Sequence, residues 1–203
     1  MRRMTFVLLL LATCTWAAPR WSRDVTRKGI EFEKYRQSSA GTHIGDLPTD
    51  QMIEGFQVQR GWVHFYPDWT LKFFQISADT LWLGNSLPAH SWIKLDCKGT
   101  ISTVCLPRDM TIQGYPVNGS GGPKGAHTCF YPSGKLRSFF ATEPLIVDGV
   151  SCKTGVLHLI ALHENGRLKQ ATLKSGVTIG GKKFNRGQTV YLDSLGGLRL
   201  PDP

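Results

Sequence analysis

The chain has 203 residues, a hydrophobic fraction of 41% and a formal net charge of +9. This apolar fraction is typical of a folded protein and argues against a disordered chain, and the length suits one domain or one repeat array. The most apolar stretch lies near the N-terminus, and its length is far below the roughly 18 residues needed to span a bilayer. This argues against a transmembrane segment in the mature chain.

The N-terminus has the pattern of a secretory signal peptide. Met1-Arg2-Arg3 is basic, Phe6 to Ala12 is apolar, and Thr15-Trp16-Ala17 ends on a small residue. We therefore predict a signal peptide over 1–17, a basic tether over 18–28 and a single β-repeat domain over 29–203. A secreted, periplasmic or cell-envelope location follows. The alternative is a lipoprotein anchored at Cys14.

A short motif repeats along the chain. Glycine, any residue and an aliphatic residue recur at Gly99, Gly134, Gly166 and Gly196, with a variant at Trp69-Thr70-Leu71. Another glycine follows each of the aliphatic residues 71, 101, 136 and 168 by 13 positions, within a period of 30 to 35 residues. A fixed interval inside a nearly constant period indicates an internal repeat.

Each repeat unit is predicted to contain three short strands and no helix. The first strands alternate, as in Trp62-Val63-His64-Phe65, and the glycine turns after them predict antiparallel hairpins with two-residue loops. A third strand is expected at segments such as Ile112-Gln113-Gly114, where the glycine suggests a bulge or bend. The apolar residues six and four positions before each turn residue are predicted to face the core, for example Ile93 and Leu95.

The fold class is therefore all-β. The first architecture is an array of about five antiparallel hairpin units of ~30 residues that form an elongated, twisted meander, because stacked units bury what one unit cannot. The alternative is a small closed propeller, although propeller blades usually have four strands.

Two hairpins also resemble a known repeat family. Phe130-Tyr131-Pro132-Ser133-Gly134-Lys135-Leu136-Arg137 and Leu162-His163-Glu164-Asn165-Gly166-Arg167-Leu168-Lys169 are similar to the hairpins of MORN-like proteins, including the YwqK-type bacterial repeats. This chain departs from that pattern by a longer repeat with a second glycine element. The resemblance implies a β-hairpin array with an interaction or scaffolding role, and it implies no catalytic residues.

The sequence predicts no catalytic, cofactor-binding or metal-binding residues. The histidines fall in different repeat columns, and neither a G-x-S-x-G element nor a C-x-x-C pair is present. Asp50, Asp79 and Asp109 occupy equivalent positions in successive repeats. We expect them to cap the local backbone, and the alternative is that they are calcium ligands. Four cysteines remain after the signal peptide, for which we expect one disulfide or none.

The strongest candidate for binding is the opposite face of the first strands. Alternate residues of a strand point to opposite faces, so a second column points away from the core. It contains Trp62, His64, Trp92, Lys94 and His127. Aromatic and basic side chains in one strip suit stacking on sugar rings or on a protein partner. The alternative is that another layer, such as the N-terminal segment, buries these tryptophans.

We therefore predict a recognition or scaffolding protein without enzymatic activity, whose partner is a protein or a glycan. One alternative is an enzyme whose site is assembled across repeats. Another is a binder of an anionic envelope polymer, because residues 122–203 carry 11 Lys and Arg against 5 Asp and Glu. The residues for that role are Lys169, Lys174, Lys182, Lys183 and Arg186. The pattern lacks a known nucleic-acid-binding module, which argues against nucleic acid.

Overall fold

The computed structural model describes residues 20–119, 122 and 124–199, and these residues form strands and turns with no helix. The first strands are β1 (Ser22–Arg27), β2 (Ile30–Gln37), β3 (His43–Leu47), β4 (Gln51–Ile53), β5 (Phe56–Val58), β6 (Gly61–Phe65), β7 (Leu71–Gln75), β8 (Thr80–Trp82), β9 (Asn85–Leu87), β10 (Trp92–Leu95) and β11 (Ile101–Cys105). The remaining strands are β12 (Met110–Ile112), β13 (Tyr115–Val117), β14 (Thr128–Phe130), β15 (Leu136–Phe140), β16 (Leu145–Val147), β17 (Val150–Cys152), β18 (Leu159–Leu162), β19 (Leu168–Thr172), β20 (Val177–Ile179), β21 (Lys182–Phe184) and β22 (Thr189–Tyr191).

Twelve strands form one open antiparallel sheet, and the other ten form five separate small hairpins. The order in the large sheet is β1-β2-β3-β6-β7-β10-β11-β14-β15-β18-β19-β22, which follows the chain and does not close. The small hairpins are β4-β5, β8-β9, β12-β13, β16-β17 and β20-β21. The predicted all-β meander of hairpin units is confirmed, and the closed propeller is not the architecture of this chain.

The core lies between the large sheet and the layer of small hairpins. Val63, Phe65, Ile93 and Leu95 of the sheet are at most 1% exposed, as the alternation predicts. Ile112 of a small hairpin belongs to the same apolar cluster. Because the small hairpins cover only one face, the other face of the sheet remains available to solvent.

The prediction of three strands per unit is wrong, because each full unit has four. The glycine 13 residues after the aliphatic position does not form a bulge; it is the second residue of a tight turn between two short strands. In the hairpin β12–β13, Gln113 and Gly114 both have positive φ, at 49° and 83°. Two consecutive residues with positive φ define a type I′ turn, the connection that matches the twist of a two-stranded hairpin.

The turns between the long strands also differ from the prediction. Asp96 N donates to Thr100 O at 2.8 Å, and Gly99 N donates to Asp96 O at 3.1 Å, so the loop contains three residues rather than two. Gly99 has φ of 77°, which is the left-handed position that follows a type I turn in such loops. A register shift then leaves one extra residue at the start of the second strand, between Ile101 and Thr103 in β11.

The interpretation of 18–28 as a tether is wrong for Ser22–Arg27, which is strand β1 and pairs with β2 through a turn at Lys28 and Gly29. Its side chains are mostly exposed and charged, which hides the alternation that reveals strands elsewhere. Charged side chains are typical of an edge strand, because they discourage pairing with other chains. The predicted signal peptide, 1–17, and the alternative anchor Cys14 lie outside the described residues.

Candidate functional site

The open face of the large sheet carries a row of side chains that the strand register places next to one another. Ile44 is paired with His64, His64 with Phe73, and Phe73 with Lys94. Lys94 of β10 is in turn paired with Thr103 of the next strand, β11. Residues paired directly across antiparallel strands have side chains on the same face and in reach of one another.

A pocket of about 330 Å³ lies on this face over strands β6, β7, β10 and β11 and the approach to β14. Its lining residues are His64, Lys72, Phe73, Trp92, Lys94, Thr103, Cys105 and His127. Small-molecule sites have volumes of roughly 300 to 1,000 Å³, so this pocket falls at the lower end of that range. Three consecutive repeat units contribute to it.

Two stacked rings form the floor of the pocket. Phe73 and Trp92 have ring centroids 5.0 Å apart and an interplanar angle of 18°. The His64 ring stands edge-on to Phe73, with centroids 6.1 Å apart at 89°. Both floor rings are only partly buried, so aromatic surface is exposed in the pocket.

The charge around the floor is positive. Lys72 and Lys94 line the pocket, and the residues that line it include no aspartate or glutamate. Burial, Lys72 and Arg36 together lower the pKa of His64, in that order of size, so the imidazole is held neutral beside fixed positive charge. Within the described part of the chain, neither Lys72 nor Lys94 forms an ion pair with a carboxylate. The pocket therefore presents unneutralised ammonium groups beside an aromatic floor.

Cys105 is the thiol among the residues that line the pocket. Its side chain is 2% exposed, and burial, with a smaller effect of Cys129, raises its pKa to about 11. The thiolate is the nucleophilic form of cysteine, and it is scarce at neutral pH when the pKa is this high. Cys105 therefore behaves as a small buried wall residue. Cys97, Cys105, Cys129 and Cys152 are all free.

The structure brings together four of the five residues that the sequence selected. His64, Trp92, Lys94 and His127 line the pocket, whereas Trp62 does not. Trp62 contacts Trp21 edge-on, with centroids 5.5 Å apart, and remains 46% exposed. The guanidinium of Arg36 lies over the Trp21 ring at 4.6 Å. Trp21 thus contacts Trp62 and does not line the pocket.

The sequence did not identify the pocket residues that come from the second strands, Lys72, Phe73, Thr103 and Cys105. The register shift in β7 explains the omission. Leu71 faces the core, Lys72 is the extra residue, and Phe73 then points to the open face while Phe74 returns to the core. The adjacent aromatic residues Phe73 and Phe74 were the available signal, because neighbours on a strand point to opposite faces.

The aspartate column caps the backbone, as preferred from the sequence. Asp50 Oδ1 accepts a hydrogen bond from Arg60 N at 2.7 Å, and Asp79 Oδ1 accepts one from Ala89 N at 2.8 Å. Asp109 Oδ1 accepts from Gly119 N, also at 2.8 Å. Among residues 20–119, 122 and 124–199 there is no group of three histidine, cysteine, aspartate or glutamate side chains that would hold a metal ion.

The basic residues near the C-terminus are exposed but belong to different layers. Lys169 is in β19 of the large sheet, whereas Lys182 and Lys183 are in the small hairpin strand β21. The ammonium group of Lys182 lies over the Phe184 ring, 5.5 Å from its centroid. Lys182 lines a separate cavity of about 290 Å³ with Phe184, Tyr191 and Arg199, whereas the other four basic residues do not line it.

Comparison of the chain with protein-family models, with curated proteins and with solved structures returns no match. None of the described residues belongs to a helix able to cross a membrane. The class of protein defined by the fold is an open array of hairpin repeats, and the pocket on its sheet face is its candidate site.

Proposed function

We propose that this chain is a recognition protein of the secreted or cell-envelope class and that it binds a glycan or protein partner on the open sheet face. The observation that carries the proposal is the 330 Å³ pocket with its Phe73–Trp92 floor and unpaired lysines. Exposed aromatic surface next to charge is the usual composition of a binding surface. The hairpin array is also what the resemblance to MORN-like repeat proteins implies, and interaction roles accompany it.

Binding is favoured over catalysis by the chemistry of the pocket. General acid–base catalysis often pairs a histidine with a carboxylate, and the residues that line the pocket include no aspartate or glutamate. The raised pKa of Cys105 disfavours covalent catalysis through its thiol. The remaining polar groups, His64, Lys94 and Thr103, suit orientation of a ligand.

The experiment is a screen of the purified protein on a glycan array and a peptide array, in parallel with the variant Trp92→Ala. We expect the wild-type protein to retain ligands that the variant loses. Trp92→Phe keeps a ring on the floor and is expected to restore part of the binding. Leu81→Ala is the matched control, because Leu81 is 78% exposed in the small hairpin strand β8, away from the pocket. Equal binding by wild type and Trp92→Ala would contradict the proposal.

A further inference from the structure

We infer that the ligand of this pocket is an acidic saccharide, a pyranose ring that carries a carboxylate. This inference rests on the proposed recognition function and names the ligand class of the same site. Three features support it: the aromatic rings of the floor, the two lysines that line the same pocket, and the hydroxyl and imidazole groups on the walls.

The floor selects a ring with an apolar face. Phe73 and Trp92 are stacked on each other, with centroids 5.0 Å apart and planes at 18°, so a ligand ring can stack on an outer face of this pair. A pyranose has a face of axial C–H bonds, and these carry partial positive charge toward the negative face of an aromatic ring. The hydroxyl groups of the sugar then project outward at the rim, where polar side chains can reach them.

The rim selects negative charge on that ring. Lys94 is paired directly with Phe73 across β10 and β7, which puts the two side chains on the same face, and Lys94 lines the pocket. Lys72, the extra residue at the start of β7, lines the same pocket, and its ammonium lies 5.1 Å from the Tyr66 ring centroid. A carboxylate attached to the ring of a stacked sugar lies at the rim, within reach of such groups. No pocket carboxylate competes for them.

The side walls complete the match to a saccharide. Thr103 is paired with Lys94 on the far side and offers a hydroxyl group that both donates and accepts. His64 is held neutral by burial and by Lys72 and Arg36, so its ring nitrogens also offer one donor and one acceptor. Groups of this kind hydrogen-bond to sugar hydroxyls.

The test compares two trisaccharides of equal linkage, α-1,4-linked galacturonate and α-1,4-linked galactose, by isothermal titration calorimetry at low ionic strength. We expect the galacturonate trisaccharide to bind about tenfold more tightly, because two ammonium groups at a partly exposed site contribute about 1.4 kcal/mol in total. In the double variant Lys72→Gln/Lys94→Gln this preference should disappear, so that the two trisaccharides bind with equal affinity. Lys135→Gln, an exposed position in the turn before β15, removes charge away from the site and should change nothing.

A second readout reports where the carboxylate binds. We expect the pKa of the His64 imidazole, followed by NMR, to rise when the galacturonate trisaccharide binds, because a negative charge nearby stabilises the imidazolium. The neutral trisaccharide should not raise it. Circular dichroism and the urea midpoint of the double variant should equal those of wild type, which separates loss of charge from loss of folding.

The outcomes separate the inference from the proposed function. Equal affinity for both trisaccharides overturns the acidic class while it supports recognition of a glycan. Binding of an acidic peptide, with loss in Trp92→Ala and no binding of either trisaccharide, overturns the saccharide class and leaves the recognition function standing. Tighter binding of galacturonate that survives in the double variant overturns the assignment of the carboxylate to Lys72 and Lys94.

Discussion

The hydroxyl group of Tyr131 donates a hydrogen bond to the carbonyl oxygen of Leu162 at 2.9 Å, and this bond joins one repeat unit to the next. Tyr66 makes the same bond to Leu95 O, also at 2.9 Å. A third contact of this kind uses a histidine in place of the tyrosine: His163 Nε2 lies 2.9 Å from Leu192 O. A side chain just after one long strand thus holds the end of a strand about 30 residues further along the chain.

The substitution Tyr131→Phe is expected to lower the free energy of unfolding by about 1 kcal/mol, because it removes the hydroxyl donor and leaves the partly buried carbonyl oxygen of Leu162 without this hydrogen bond. Urea denaturation followed by circular dichroism measures the effect. Tyr191→Phe, at the last strand of the sheet, is the matched control and should shift the stability by less than about 0.5 kcal/mol. A Tyr131 variant as stable as the control would mean that the bond between units contributes nothing.

Trp69 is expected to stabilise the first unit in spite of its backbone conformation. It has φ of 74° at the turn position where later units have glycine, and its ring stacks on His43 with centroids 4.0 Å apart. Trp69→Gly would relieve roughly 1 kcal/mol of backbone strain but would lose a large aromatic contact. We expect a net loss of about 2 kcal/mol in thermal or urea unfolding. A stability gain in Trp69→Gly would show that the strain outweighs the stacking.

The caps at the aspartate column give a prediction about calcium. Asp79→Ala should cost about 1 kcal/mol, because Ala89 N loses its acceptor, whereas Asp79→Asn keeps an acceptor oxygen and should cost less. The melting temperature of the wild-type protein should not respond to added calcium or to a chelator. A calcium-dependent rise that both variants abolish would instead assign the column to metal binding.

The buried thiols predict a loss of stability in alkali. Burial raises the pKa of Cys105 and of Cys152 to about 11, from an ordinary value of 9.0. Between these pH values the unfolded chain releases thiol protons that the folded chain retains, so the free energy of unfolding falls as the pH rises above 9. The stabilisation is fully present below that pH. Urea midpoints measured across this range should fall less in Cys152→Ala than in wild type.

Alkylation of the same cysteines tests their environment in the folded state. We expect iodoacetamide at pH 8 to label exposed Cys97 first and Cys105 and Cys152 far more slowly, because both of these residues are buried. Their raised pKa also makes their thiolate fraction about a hundredfold lower than that of a thiol with the ordinary pKa of 9.0. Peptide mass spectrometry identifies the labelled residue. Rapid labelling of Cys105 would contradict its role as a buried wall of the pocket.

The lowered pKa of His64 predicts a loss of stability in acid. Its pKa is lowered in the folded chain, so the stabilisation is present above the ordinary value of 6.5 and is lost as the pH falls from there through the folded-state pKa. Lys72→Gln removes one of the charges that lower it, and we expect the pKa measured by NMR to rise. An unchanged pKa in that variant would show that Lys72 lies too far from the imidazole to act on it.

The sequence predicted the long hairpins well, because their signals are local. A residue with positive φ must end each hairpin turn, and the apolar residues before it must alternate into the core, as Ile160 and Leu162 do. The candidate site followed from the same alternation, since the opposite column had to lie on the other face. Its use in binding remains a prediction.

The small hairpins were not predicted, because in most of them only the second of the two turn residues is of a type that indicates a turn. The first turn residue is Glu54, Leu83, Gln113, Asp148 or Gly180, all with positive φ and most of them unusual there. Several are held by the fold: Asp148 Oδ2, for example, accepts from Leu168 N at 2.7 Å in the next unit. A contact of that kind depends on how units stack, so no pattern within one unit reveals it.

The order of the large sheet has a consequence for how such a chain can change. Each long strand is hydrogen-bonded to the long strands next to it in chain order, and the first and last strands of the sheet are not bonded to each other. The geometry therefore requires no fixed number of units. Duplication or loss of a unit beyond β15 would lengthen or shorten the molecule while the pocket kept all of its neighbours. The pocket can therefore evolve separately from the length of the protein that carries it.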